Sequence, residues 1–165
     1  MNESSINQLY RSTVRAFPKT RARQHLVHTI EMHDLKFTPF IGVKTLLVRA
    51  KAINEDRSYN PLLLFKNIKY TDQKNDELAS LLIQGKTYYF ETPTLASTDV
   101  LVRCQCEDLK WRGVHYLKLD KSLYGSDRKK YVGQGLFEAN PKQLPIMCKH
   151  ILKLVEELED LGILS

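Results

Sequence analysis

The chain has only three cysteines and one tryptophan among its 165 residues, and it lacks any long apolar run. A helix that spans a membrane needs roughly 20 apolar residues, so we expect no membrane partner. The N-terminal stretch MNESSINQLYRST has no apolar core of the kind that a secretory signal carries. An odd number of cysteines also argues against a secreted disulfide framework. These absences predict a protein of the cytoplasm or of another reducing setting.

Positive charge is moderate in total but gathered in two places. The formal net charge is +6. Residues 1–23, which we predict to form a basic arm, contain one acid and five cations: Arg11, Arg15, Lys19, Arg21 and Arg23. A second basic segment includes two tyrosines: its members are Lys121, Tyr124, Arg128, Lys129, Lys130 and Tyr131. Cations can hold a phosphate backbone while rings stack on bases. Both segments are therefore candidate binding sites for nucleic acid or a partner, and a solvated basic surface is the plainer alternative.

Hydrophobic periodicity predicts one α+β domain over residues 24–165. Alternating or β-branched runs predict strands within 24–37, 42–54, 62–70, 86–93 and 98–106. Helical spacing predicts short helices at 3–17 and 75–84, and a long one in the stretch IMCKHILKLVEELEDLGIL at the C-terminus. Turn formers predict a long loop over 120–145. We therefore expect a mostly antiparallel sheet with a long C-terminal helix.

The cysteines occur in two tight groups, VRCQC and MCKH. Side chains two apart on a strand point the same way, so Cys104 and Cys106 should present two sulfurs on one face. Cys148 and His150 should converge at the first turn of the C-terminal helix. Three cysteines and one histidine are a standard tetrahedral zinc set. Because four protein ligands fill the shell, we interpret the predicted zinc as structural, fastening the helix to the sheet, and we expect no enzyme activity.

Other interpretations of these residues stay open. The plainest is two buried free cysteines on a core strand, an unrelated third, and a histidine that caps a helix. A redox pair is a further alternative, although C-x-C lacks the helix-borne C-x-x-C arrangement. Cys148 and His150 would face each other poorly as nucleophile and base. A second metal site at His25, His28 and His33 is disfavoured, because residues three apart on a strand face opposite ways.

C-x-C followed by C-x-H resembles the SWIM-type zinc finger. The similarity covers Cys104, Cys106, Cys148 and His150 and spans about residues 98–160. In that family the first pair lies on a β-hairpin and the second pair opens a helix, as C-K-H-I-L is expected to do here. The interval between the two pairs is longer than in a compact member of the family.

The resemblance also sets the functional expectation. SWIM-type modules are associated with both DNA and protein binding. The chain is similar, more loosely, to short proteins of large viruses and tailed phages that carry C-x-C and C-K-H around a strand-rich body. We therefore expect a non-catalytic, zinc-stabilised structural or adaptor module in a macromolecular assembly, with the virion as a second candidate location. The expected partners are proteins of that assembly, and no small-molecule substrate is expected. The alternative is a nucleic-acid-binding protein that uses the basic arm and the 121–131 loop.

Overall fold

The computed structural model of the chain describes residues 4–19, 29–126 and 139–165, and in these ranges it is α+β, as predicted. The helices are α1 (Ile6–Ala16), α2 (Glu107–Arg112), α3 (Val114–Asp120) and α4 (Lys149–Asp160). The strands are β1 (Glu31–Phe40), β2 (Thr45–Asn54), β3 (Arg57–Tyr59), β4 (Leu62–Phe65), β5 (Tyr70–Thr71), β6 (Ala79–Ile83), β7 (Lys86–Phe90) and β8 (Val100–Arg103). None of the helices in these ranges combines the length and the apolar character that crossing a bilayer requires.

The strands form two antiparallel sheets. The larger sheet has the order β1-β2-β4-β8, and the short strand β3 also pairs with β2. The smaller sheet has the order β5-β7-β6. The strands β2 and β4, which lie in the predicted strand segments 42–54 and 62–70, are antiparallel neighbours, and β3 lies in the connection between them.

The helices that the structure describes cover one face of the larger sheet. On the helix-covered face, Val48 lies opposite Leu63, which lies opposite Val102, and all three are buried in the main core. The buried aliphatic residues of α1, α2, α3 and α4 belong to the same core. Helix α4 lies against β1 and β4. We call the opposite side the outer face.

Helix α1 begins at Ser5, whose side chain accepts a hydrogen bond from the backbone N–H of Gln8 in a capping box. It ends just before Pro18, as the sequence predicts. Its apolar side, which includes Ile6 and Leu9, is buried in the main core. This described part of the predicted arm is therefore packed into the domain and is not an appendage. The predicted boundary at residue 23 lies outside the described residues.

The predicted helix at 75–84 is wrong, because residues 75–78 form a turn and the second half of the segment contains strand β6. The Asn75 side chain accepts a hydrogen bond from the backbone N–H of Glu77 and so closes a turn instead of capping a helix. Gln84 and Gly85 have φ values of 49° and 78°. Two successive positive φ values suit the tight turn of a hairpin, and β6 pairs with β7 across it. Pairing with a neighbouring strand therefore decided the conformation.

Candidate metal centre

Cys104 and Cys106 lie where the chain leaves the larger sheet. Strand β8 ends at Arg103, and Cys106 is the N-cap of α2. The Sγ of Cys106 accepts a hydrogen bond from the backbone N–H of Leu109 over 3.4 Å. The predicted strand over 98–106 is therefore too long. The two sulfurs converge because the chain turns into a helix, and strand alternation is not the cause.

A glutamine between the two cysteines ties this turn to the sheet. The side-chain oxygen of Gln105 accepts a hydrogen bond from the backbone N–H of Asn60 over 3.0 Å. Asn60 lies between β3 and β4. The backbone of the first ligand pair is thus fixed at two points, through Gln105 and through the cap of α2.

The second ligand pair opens α4, as predicted. Cys148 is the N-cap residue in extended backbone conformation, and His150 lies in the first turn. The preceding residue, Met147, donates its backbone N–H to the hydroxyl of Thr13 in α1 over 3.0 Å. Helix α1 therefore helps to place the second pair.

The structure brings the four predicted ligands to one point. One ligand atom from each of Cys104, Cys106, Cys148 and His150 lies within 4.8 Å of all the others. The Nδ1 atom of His150 is 3.9 Å from the Sγ atoms of both Cys104 and Cys148. With metal–ligand bonds of about 2.0 to 2.3 Å, ligand atoms around tetrahedral zinc lie roughly 3.5 to 3.8 Å apart. The cluster therefore fits one tetrahedral ion after a small contraction.

Burial and mutual hydrogen bonds set the protonation of the three thiols. The pKa of Cys104 is raised to about 12, because its thiol is hydrogen-bonded to Cys106 and is also desolvated. The pKa of Cys148 is raised because the group is buried. The pKa of Cys106 is lowered, because Cys104 and Cys148 stabilise its thiolate by hydrogen bonds. Without a metal, the cluster therefore holds one thiolate and two thiols, and a cation that binds all three sulfurs must displace two protons.

The imidazole of His150 is held by packing. The ring of Tyr59 in β3 lies against it, with ring centroids 4.2 Å apart and planes inclined by 31°. Its Nε2 atom is buried and has no hydrogen-bond partner among the described residues. A buried polar atom without a partner costs free energy. The Nδ1 atom faces the sulfurs of Cys104 and Cys148, so it is the nitrogen that could bind a metal, with the proton of the neutral ring on Nε2.

Two supporting residues were not found from the sequence. Asn140 is buried and donates from its side chain to the backbone carbonyls of Arg112 and Leu144, over 2.9 and 2.8 Å. It therefore fixes the chain just before the second ligand pair. Tyr59 also escaped notice, because it lies far from the ligands in sequence. The turn-forming residues around Asn140 indicate an ordered turn there, whereas nothing in the sequence near Tyr59 points to the metal centre.

None of the predicted basic binding residues that the structure describes belongs to the metal cluster. Among the described ones, Arg11, Arg15, Lys19 and Lys121 are exposed and Tyr124 is half-buried. The remaining ones lie outside the described residues: Arg21, Arg23, Arg128, Lys129, Lys130 and Tyr131. His33 is exposed and pairs with Glu31 over 3.2 Å, whereas His25 and His28 also lie outside the described residues. No second metal-type cluster forms among the residues that the structure describes.

Comparisons of the chain with protein-family models, with curated proteins and with solved structures found no match. The geometry consequently carries the identification of the site. It shows a buried cluster of three cysteines and one histidine that can hold a metal ion and is compatible with a zinc finger.

Proposed function

We propose that this protein is a non-catalytic structural module in which one zinc ion joins the end of β8 to the start of α4. The proposal is carried by one observation, the burial of all four ligands within 4.8 Å of one another. Four protein ligands complete a tetrahedral shell, whereas a catalytic zinc site keeps a position for water or substrate. In a closed site, the free energy of metal binding becomes free energy of folding.

We further propose that the site is a variant of the SWIM-type zinc finger. The second ligand pair opens a helix, in agreement with that family. The first pair departs from it, because Cys106 caps α2 instead of lying on a β-hairpin. The short helices α2 and α3 occupy the first part of the long interval between the two pairs. These helices account for part of its length without moving the ligands apart.

An exposed apolar turn supports the adaptor part of the proposal. The last residue of β1, Phe40, and the 3₁₀ turn that follows it, Ile41–Val43, present apolar side chains to solvent, and Val43 is 71% exposed. Contiguous exposed apolar side chains mark interaction sites more often than isolated ones do. The proposed role is therefore that of an adaptor that docks on other proteins of an assembly, such as a virus or phage particle, through surfaces that the zinc site holds in place.

Metal analysis of the purified protein tests the zinc proposal. We expect one zinc ion per chain, and we expect removal of the ion by a chelator to lower the stability of the domain in parallel. His150→Ala should abolish stoichiometric zinc binding. His33→Ala is the matched control, because His33 is exposed, bonds to Glu31 and lies outside the metal cluster. Cobalt substitution should give the absorption spectrum of a tetrahedral thiolate site. A protein that folds equally well without metal, or a His150→Ala variant that retains zinc, would refute the proposal.

Nucleic-acid binding through the basic arm and the loop is the second candidate. One contact favours it: the hydroxyl of Ser4 donates to the carboxylate of Asp120 over 2.8 Å, which places the start of α1 beside the start of the loop. Arg11 and Arg15 are exposed on the solvent side of α1 and have no ion pair among the described residues. Replacing both by glutamate should abolish binding if this candidate is right.

A further inference from the structure

The outer face of the larger sheet carries a group of cations in adjacent rows. Lys36 lies opposite Arg49, Arg49 lies opposite Leu62, and Leu62 lies opposite Arg103. One row across four strands thus contains three cations. Lys51 is two residues from Arg49 on β2 and so lies on the same face. We call Lys36, Arg49, Lys51 and Arg103 the outer basic cluster.

These cations lack acidic partners. Lys36, Arg49 and Lys51 are exposed and have no ion pair among the described residues. Like charges directly opposite on neighbouring strands are destabilising, and Lys36 and Arg49 are such a pair. Apart from Asp34 in the bulge of β1, the four strands place one carboxylate on this face. It is Glu31, and it pairs with His33.

Arg103 is held in place at the edge of the cluster. Its Nη1 atom donates to the backbone carbonyls of Tyr124 and Ser126, over 2.9 and 3.2 Å. These bonds leave its positive charge uncompensated, because both acceptors are neutral. Tyr124 is one of the residues that the sequence predicts to stack on bases. The outer basic cluster therefore adjoins the start of the predicted binding loop.

A leucine stripe lies on the same face as the cations. Leu47, Leu64 and Leu101 are cross-strand neighbours, and Leu62 lies next to Leu64 on this side of β4. None of the four packs into the main core. Leu47 is buried, with 4% of its surface exposed, whereas Leu62, Leu64 and Leu101 are half-buried and form the part of the stripe that solvent reaches. The outer face thus offers an apolar strip flanked by positive charge.

We propose that single-stranded nucleic acid binds across this face. Its phosphates contact the outer basic cluster, and its bases and sugars cover the leucine stripe. A phosphate chain supplies closely spaced negative charges that neutralise like-charged neighbours together. A duplex fits less well, because its bases are stacked inside and cannot cover an exposed strip of leucines. An acidic protein segment is the competing class of partner, and the net charge of +6 favours the more highly charged nucleic acid.

This binding face is independent of the zinc site. All three cysteines belong to the main core on the helix-covered side, whereas the outer basic cluster lies on the opposite side of the sheet. The face also differs from the surface of the second candidate function, which uses Arg11 and Arg15 on α1. Because α1 is packed on the helix-covered side, the two sets of cations lie on different surfaces, and mutations can separate them.

Fluorescence anisotropy with a labelled single-stranded DNA of about 20 nucleotides tests the proposal on the full chain. The double variant Arg49→Glu/Lys51→Glu should weaken binding by at least about tenfold at low salt. It should also flatten the salt dependence, by about 0.7 in the logarithmic slope for each phosphate that the variant no longer neutralises. Lys69→Glu/Lys74→Glu is the matched control, because both lysines are exposed and lie outside the larger sheet and the basic arm. It makes the same change in charge and should bind nearly as the wild type does. Zinc content and thermal unfolding verify that each variant is folded.

The remaining outcomes each decide against the proposal. Equal losses of affinity in both double variants would show that only total charge matters. A loss confined to Arg11→Glu/Arg15→Glu would assign binding to the arm. Equal affinity for a duplex of the same sequence, or for polyglutamate, would exclude single-stranded nucleic acid as the specific ligand.

If the glutamate variant of the outer face does not fold, Arg49→Gln/Lys51→Gln replaces it, and the same loss of affinity is expected. The zinc stoichiometry of the wild-type protein is unaffected by any of these results.

Discussion

Met147 donates its backbone N–H to the buried hydroxyl of Thr13 over 3.0 Å, and this contact links α1 to the second ligand pair. The same hydroxyl donates to the carbonyl of Leu9 over 2.7 Å. Thr13 therefore serves as acceptor and donor at once, and α1 cannot shift without moving the residue that precedes Cys148. A helix that the sequence suggests is a free arm thus contributes to the geometry of the metal centre.

The first prediction concerns this hydroxyl. Thr13→Val keeps the shape of the side chain but leaves the buried N–H of Met147 without an acceptor, which costs about 1–3 kcal/mol. We expect the free energy of unfolding to fall by that amount and zinc to dissociate faster. Thr13→Ser keeps the hydroxyl and should retain the wild-type rate of zinc loss. Chemical denaturation and chelator-driven zinc release measure the two effects. A Thr13→Val variant with unchanged stability would show that the hydrogen bond contributes nothing.

The second prediction concerns the junction of α2 and α3. A Cβ atom at Gly113 would lie 2.7 Å from the Cδ1 atom of Leu109 and 3.0 Å from the Cγ1 atom of Ile146, both of which are buried. Gly113→Ala should therefore destabilise the protein by roughly 1–3 kcal/mol through overpacking. Gly42→Ala is the control, because nothing lies within 4 Å of the added carbon there. Thermal unfolding of both variants tests the prediction: Gly113→Ala should melt at a lower temperature than Gly42→Ala, and equal melting temperatures would contradict it.

Local pattern predicted the four ligands and the helix that the second pair opens, but not the helix that Cys106 caps. Cys148 and His150 open α4 because its apolar spacing is strong. Cys106 was assigned to a strand, since β-branched residues precede it, yet it caps α2. The sequence of α2 does place opposite charges four residues apart, at Asp108 and Arg112, and these form an ion pair along the helix. Charges of this kind are common on any protein surface, so the helix was missed.

Long-range contacts could not be predicted in the same way. The stacking of Tyr59 on His150 depends on β3 pairing with β2, a pairing of only three residues. Such a short strand has little local signature. The outer basic cluster was missed for a related reason. Lys36, Arg49 and Arg103 are scattered in sequence, and only the register of the sheet places them in one row.

The third prediction concerns pH. The pKa of Cys104 is raised to about 12 and that of Cys148 is also raised, so both are protonated near neutral pH in the metal-free protein. Zinc binding should therefore release about two protons, and affinity should rise by about 100-fold per pH unit between roughly pH 7 and 9. Calorimetric titration in buffers of different ionisation enthalpy counts the protons. Zinc uptake without proton release would show that the thiols are already ionised.

The same pKa shifts predict that the stability of the metal-free protein falls as pH rises, whereas zinc affinity increases. A thiol whose pKa is raised by folding stabilises the folded state fully below its unfolded value of about 8.5. That contribution is lost as pH rises through the folded value, about 12 for Cys104. The metal-free protein should therefore lose stability in this range, while bound zinc grows tighter. Denaturation curves with and without chelator at several pH values measure both trends, and parallel curves would contradict the prediction.

The fourth prediction concerns the ring that orients the metal ligand. The Tyr59 ring packs on the imidazole of His150 at 4.2 Å, and no hydrogen bond from the described residues holds the Nε2 atom. Tyr59→Leu removes the flat surface that fixes the imidazole, and groups that orient a metal ligand typically contribute 10–100-fold to affinity. We expect zinc affinity to fall by about tenfold or more, measured by competition with a chromophoric chelator. Tyr59→Phe keeps the ring and should bind zinc as the wild type does. If the Phe variant binds zinc as weakly as the Leu variant, the hydroxyl is the important group and ring stacking is not.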